Sequence, residues 1–217
     1  MKPQLRSASL SLLAAICLTL AAVPAFAQND LYDNGPVNGE TSAWQINFGF
    51  AVSDEAKVAN ISRSNVKNNI VVWVEPNETP TSIGWGLGTT PFSTNIASGT
   101  SPVTITNSFV NQFGYDVDTV SFSMGTLSLS AGNYWVTLEN ATTADGAPVY
   151  WDENSGVGCT SPGCPSQAQE NGVGTIPSET FTLEGSPAGS TPEPNTLALL
   201  GSGFVGLAAF LRCKSRA

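Results

Sequence analysis

The sequence contains no histidine. That absence removes Ser-His-Asp and Cys-His nucleophilic mechanisms and most transition-metal sites. Bases are nearly as scarce, with 8 Lys and Arg against 17 Asp and Glu. All 17 acids fall between Asp30 and Glu193, where Lys57, Arg63 and Lys67 are the only bases, so this stretch carries a net −14. Such a surface repels phosphate backbones, which excludes nucleic acid as a partner. It suits solubility outside the cell, or attraction of divalent cations. Between the two ends there is no amphipathic helical pattern and no internal repeat, which argues against a propeller or a solenoid. Charged residues make up only 12% of the chain. With Ser, Thr, Asn and Gly abundant, this is the composition of an exported β protein.

What is present begins at the ends. Lys2 and Arg6 precede an apolar run from Ala8 to Val23, and Ala25-Phe-Ala27 closes it. This is the pattern of a signal peptide over 1–27, cut by signal peptidase after Ala27 to leave Gln28 first. Cys17 follows Ile16, where a lipoprotein signal wants a small residue. At the other end, Pro192 and Pro194 bar helix. Asn195 then stands at a helix N-cap position. Thr196 to Leu211 is 16 residues without a charge. At helical rise it measures about 24 Å, against a hydrocarbon core of about 30 Å, so Asn195 and a snorkelling Arg212 complete the span. The spacing predicts one transmembrane helix over 195–211. Arg212, Lys214 and Arg216 follow it, so the positive-inside rule places the C-terminus in the cytoplasm and everything upstream outside. Gly201-Ser-Gly203-Phe-Val-Gly206 matches a dinucleotide fingerprint by letter, but no βαβ unit follows.

Pro192-Glu193-Pro194, one short apolar helix and the basic residues Arg212, Lys214 and Arg216 together resemble the PEP-CTERM sorting signal of exported bacterial proteins. Cys213 and Ser215 interrupt the basic cluster, which is often denser in that family. The resemblance implies processing by an exosortase, a membrane protease or transpeptidase, in hosts that make exopolysaccharide or biofilm. The domains then read 1–27 signal peptide, 28–184 ectodomain, 185–191 Gly/Ser/Pro linker and 192–216 sorting signal.

The ectodomain reads as β throughout. Trp44, Ile46, Phe48 and Phe50 alternate with Gln45, Asn47 and Gly49, which predicts a half-buried strand. Ile61 to Asn69 is polar and asparagine-rich, whereas Ile70 to Val74 has the composition of a central strand. Ile83, Trp85 and Leu87 alternate with Gly84, Gly86 and Gly88, leaving one face as bare backbone. Val117 and Val120 differ in parity, which predicts a bulge near Asp118. Tyr134, Val136 and Leu138 face one way, and Trp135, Thr137 and Glu139 the other. Strands at Val149–Trp151 and around Phe181 flank a long loop, Gly156 to Gly174. About eight to ten short strands are expected, in an antiparallel β-sandwich of jelly-roll type. The blocks Tyr32-Asp-Asn-Gly-Pro36, Thr79-Pro-Thr-Ser82, Gly88-Thr-Thr-Pro-Phe92, Ala131-Gly-Asn-Tyr-Trp135 and Pro148-Val-Tyr-Trp-Asp-Glu153 also resemble ectodomains carried by PEP-CTERM proteins. That resemblance implies a secreted sandwich without an assigned activity.

Candidate chemistry is sparse. Cys159 and Cys164 are the cysteines left in the exported part, and an oxidising compartment favours a local disulfide. Ser64-Asn-Val-Lys67 has the S-x-x-K spacing but lacks its partner motifs. Asp116, Asp118, Glu139, Asp145, Asp152 and Glu153 supply carboxylates, yet no spacing selects a glycosidase pair. Trp44, Trp73 and Trp85 are expected in the core. Trp135 beside Glu139, and Trp151 beside Asp152 and Glu153, pair an aromatic face with hydrogen-bonding side chains, the chemistry of a sugar-binding surface for extracellular polysaccharide. Asp116, Asp118, Asp152 and Asn154 offer hard oxygens for a structural Ca2+. The reading is an exported, membrane-anchored, non-catalytic matrix protein, with a carbohydrate-binding module as the alternative and a glycan-active enzyme a distant third.

Overall fold

In this computed structural model, residues 29–185 are described. The signal peptide, the expected transmembrane helix 195–211 and the sorting residues Pro192 to Arg216 lie outside them. Among the described residues there is no helix long and apolar enough to cross a membrane. Thirteen strands are formed: β1 Asn29–Asp33, β2 Ala43–Gln45, β3 Ala51–Val58, β4 Ile61–Val74, β5 Pro80–Gly88, β6 Ala97–Pro102, β7 Thr104–Val110, β8 Asp116–Leu129, β9 Gly132–Thr143, β10 Val149–Asp152, β11 Ala168–Glu170, β12 Gly174–Ile176 and β13 Phe181–Gly185.

They build two antiparallel sheets. The first has seven strands, and β4 is its spine. Along one edge β4 pairs with β8. Its other edge is shared, Lys67 to Ile70 pairing with β13 and Val72 to Val74 with β10. The second sheet has six strands in the order β12-β11-β3-β9-β5-β6. One apolar cluster joins both sheets: Ile70, Val72, Val74, Val120 and Phe122 from the first, Val52, Ala56, Ile83, Leu87, Val136 and Leu138 from the second. Each set shares one strand parity, so burying it removes a whole face from water.

Several sequence expectations are corrected. The alternation from Trp44 to Phe50 does not make one strand. β2 stops at Gln45, and Phe48 takes a left-handed φ of 57° and is 64% exposed. The polar stretch Ile61 to Asn69 is strand, continuous with Ile70–Val74. Ladders on both sides hold it there, and within it Val66 and even Asn68 are buried. No bulge occurs at Asp118. The register of β8 against β4 slips instead opposite Val66/Lys67, and that of β7 against β8 slips between Ile105 and Asn107. Val117 and Val120 can both be buried because the sheet is covered on both faces. Val120 joins the main core, and Val117 joins a second cluster with Val71 and Trp73. The loop 156–174 contains β11, which extends the second sheet beyond β3.

The glycine face of β5 is covered by the chain's own next turn. A methyl group on Gly86 would lie 2.7 Å from Thr94 Cγ2, and one on Gly88 would overlap the Ser93 carbonyl. Ser53, on the same outer face, holds this loop by accepting the Phe92 N–H at 3.3 Å and the Thr137 hydroxyl at 3.0 Å. Gly88→Ala should therefore destabilise the domain by about 1–3 kcal/mol, because backbone and not a flexible side chain must move. Urea unfolding against wild type checks this.

Candidate functional sites

Trp151 and Asp152 alternate on β10, so they face opposite ways. Trp151 points into the core, is fully buried, and donates its indole N–H to the Thr180 carbonyl at 2.8 Å. It presents no face to a sugar, which corrects the expectation for this residue. Asp152 faces the other side of the first sheet and is also fully buried. Its carboxylate accepts the Trp73 indole N–H at 2.7 Å, the Asn38 N–H at 2.9 Å, the Gly39 N–H at 2.9 Å and the Thr180 hydroxyl at 3.2 Å. Burial pushes its pKa up, and these hydrogen bonds pull it back. With both oxygens taken by protein donors, Asp152 does not serve as a ligand for sugar or calcium. It fastens loop 34–40 across the sheet.

A second buried acid, Asp54, lies at the junction of β1, β3 and the segment before β13. It accepts the Glu179 N–H at 2.6 Å, the Asn34 amide at 3.2 Å and the hydroxyls of Ser166 and Ser178. Asn34 in turn accepts the Tyr32 hydroxyl at 3.0 Å and the Ser166 N–H at 3.0 Å. Desolvation raises the Asp54 pKa from 3.8 to about 7. Glu179 is fully buried beside it, and neither carboxyl oxygen has a hydrogen-bond partner. Burial first, then the charges of Asp54, Glu153 and Asp152, drives its carboxyl well above the usual range. Glu153 is only part-buried, and desolvation raises its pKa, with the Trp44 indole pulling it back.

Cys159 and Cys164 are joined in a disulfide. The loop they close is tied to β1: Thr160 donates to the Asp33 carboxylate at 3.2 Å, and the Asp33 N–H donates to the Ser161 hydroxyl at 2.7 Å. The remaining expected residues do not assemble. Trp135 is half-buried and Glu139 exposed, both on the outer face of β9 in the second sheet, away from the sheet that holds Trp151. The Asp116 carboxylate accepts the Asn77 N–H at 2.9 Å. Asp118 is buried, and desolvation raises its pKa. Asn154 is 5% exposed and accepts the Gly156 N–H at 2.7 Å. Among the described residues, no group of three or more His, Cys, Asp or Glu side chains is placed to hold a metal ion. The calcium set is therefore not brought together.

The structure adds a site that the residue patterns did not single out. On the outer face of the first sheet a cleft of about 360 Å3 is lined by Asn69, Val71, Thr119 and Thr182, with Asp33, Val37 and Gly158 among its other residues. Asn69 is opposite Thr182, and Val71 opposite Thr119, across the ladders of β4. Val71 continues into an aromatic cluster with Trp73, Tyr115 and Tyr150. Phe113, 57% exposed, stacks on Trp73 with ring centroids 5.9 Å apart. The sequence signal was present in Ile70 to Val74, whose apolar residues occupy both parities and so require cover on both faces.

Comparison with known proteins identifies residues 190–214 as a PEP-CTERM protein-sorting motif. The motif supports an exported, membrane-anchored surface protein processed by exosortase, a membrane protease. No curated protein matches the chain.

The buried acids set a pH dependence. Folded Asp54 keeps its proton to about pH 7, whereas the unfolded chain loses it near 3.8. Its contribution is therefore fully present below the lower value and is lost as pH rises through the upper one. Glu179, Asp152, Asp118 and Glu153 shift in the same direction. The melting temperature should fall between about pH 4 and about pH 8, and Asp54→Asn should flatten that slope; a calorimetric pH series measures both.

Proposed function

We propose that the chain is a surface or extracellular-matrix component, associated with exopolysaccharide or biofilm, whose β-sandwich works by binding or coating and not by catalysis. The observation that carries this reading is the sorting motif at 190–214. In this account signal peptidase removes 1–27, and the helix 195–211 holds the chain with its basic end inside. Exosortase then acts near Pro192-Glu193-Pro194 and frees the domain on its linker. The acidic balance of the sequence supports the outward destination, since it keeps the released domain soluble. The chain is expressed in full, in exosortase-competent and exosortase-deleted cells, and its C-terminus is read by mass spectrometry. Loss of the residues after the motif in competent cells alone is the expected result. A chain that still ends at Arg216 or Ala217 there contradicts processing.

A second reading, carbohydrate binding, is favoured by the cleft on the first sheet. Its size falls within the range of small-ligand pockets. Its floor mixes amide and hydroxyl groups with an apolar strip, which matches a sugar's hydroxyl edge and its C–H face. Among the described residues no base lines it, so an uncharged glycan fits better than an anionic one. Trp135 and Glu139 on the second sheet form the alternative surface. Polysaccharide pulldown with Thr119→Arg, which fills the cleft, and Trp135→Ala separates the two. Lost retention in the first variant assigns the cleft and in the second the outer face of β9. Unchanged retention in both rules out sugar binding at either surface.

A further inference from the structure

Thr79 to Tyr115 is 37 residues without a charged side chain, in a chain whose acids are otherwise spread from Asp30 to Glu193. This neutral stretch contains β7, the longest edge strand of either sheet. β7 pairs with β8 alone, and all seven of its residues are exposed. The other edge strands are guarded or short. β1 carries Asp30 and Asp33, β6 ends in Pro102, and β2 and β12 have three residues each. Natural sheets block an open edge with a charge, a proline or a bulge. β7 has one register slip near Thr106, and beyond it Asn107 to Val110 pairs regularly with Thr119 to Asp116. Thr, Ile, Phe and Val predominate, and Ile105, Phe109 and Val110 are 38%, 38% and 66% exposed.

The direction of the free backbone groups follows from the hairpin. The Asn111 N–H donates to the Tyr115 carbonyl at 2.9 Å. Antiparallel ladders alternate bonded and non-bonded pairs. Phe109 therefore bonds inward to Val117, while Ser108 and Val110 turn their N–H and C=O groups outward. Asp116 and Asp118 stand one strand further in, and Asp118 is buried; Glu40 lies at the hairpin end, where its carbonyl accepts the Gln112 amide at 3.1 Å.

We propose that β7 is a self-association edge, pairing antiparallel with β7 of a second copy of this chain. Two features select a second copy. Antiparallel pairing of identical edges closes on a two-fold axis, so one strand satisfies its own mate. Two domains of the same strong negative charge repel over most approaches, and the uncharged stretch is where they meet with their acids held apart. The paired edges make one continuous sheet across the dimer and cover Val110.

The test uses mature protein recovered from cells, followed by sedimentation velocity and amide hydrogen exchange. Wild type should form a dimer as concentration rises, with added protection at Ser108 and Val110. Val110→Lys places a charge on each side of the pairing and should weaken association roughly tenfold or more. Ser108→Pro removes an outward N–H, leaving the backbone ladder to β8 in place, and should abolish the dimer; because it also removes the hydroxyl bonded to Asp118, Ser108→Ala serves as its control and should keep the dimer. Unchanged melting of Val110→Lys shows that the domain still folds. Wild type that stays monomeric at its solubility limit overturns the proposal. So does a dimer whose β7 amides stay unprotected or which Val110→Lys leaves intact.

Discussion

The structure depends on carboxylates buried without cations. Asp152 and Asp54 are both fully removed from water, and every hydrogen bond each accepts comes from a neutral donor: backbone N–H, indole, amide or hydroxyl. A chain with three bases between Asp30 and Glu193 has little means of pairing such acids with lysine or arginine. Burying an acid without donors costs several kcal/mol, so each position requires a converging set. The sets are drawn from distant segments. Asp152 gathers Asn38, Gly39, Trp73 and Thr180, and Asp54 gathers Asn34, Ser166, Ser178 and Glu179. Long irregular loops are thereby pinned to the sheets by chemistry that elsewhere would be called a site.

This changes where function can lie. Acids saturated by the protein's own donors have no lone pairs left for a ligand, and Trp151 between them is core. What remains free are the outward faces: the cleft over Asn69, Val71, Thr119 and Thr182, the half-buried Trp135 on the second sheet, and the bare edge of β7. The Asp152 node also builds the first of these. The carboxylate holds the Asn38–Gly39 end of loop 34–40, and Asn34, bonded to Asp54 and to the Glu179 carbonyl, holds the other, with Val37 between them at the cleft. A domain delivered to the outside by a sorting motif thus presents surfaces, with Asp54, Asp152 and Glu179 turned inward as structure.

Much of the fold was legible in the sequence, and the failures have specific causes. The sorting motif, the all-β character, the core parity of Tyr134, Val136 and Leu138, and the disulfide followed from patterns that local chemistry decides. β3 went unseen because Asp54, Glu55 and Lys57 break its alternation, and Asp54 occupies a core parity only because donors from remote segments meet it there. The first half of β4 read as polar because its partners, β8 and β13, lie far away in sequence. Phe48 and Phe50 continued the parity of Ile46, yet the chain turns at Phe48-Gly49, where both residues have positive φ. For the candidate site the loss was greater. Trp151-Asp152-Glu153 looks like an aromatic beside free acids, and only the tertiary donors reveal that two of the three are interior. The cleft is made by parity on β4 and β8 plus a loop from the N-terminal side, a juxtaposition no local window contains.

The central claim is that Asp54 and Glu179 are interior acids, Asp54 held by neutral donors and Glu179 buried beside it with no hydrogen-bond partner for its carboxyl. Carbon-detected NMR titration of the side-chain carboxyls in the folded domain tests it most directly. A midpoint for Asp54 near 7 is expected, with that of Glu179 well above the usual glutamate value. Ordinary midpoints for both residues, in a domain that remains folded throughout, would contradict it.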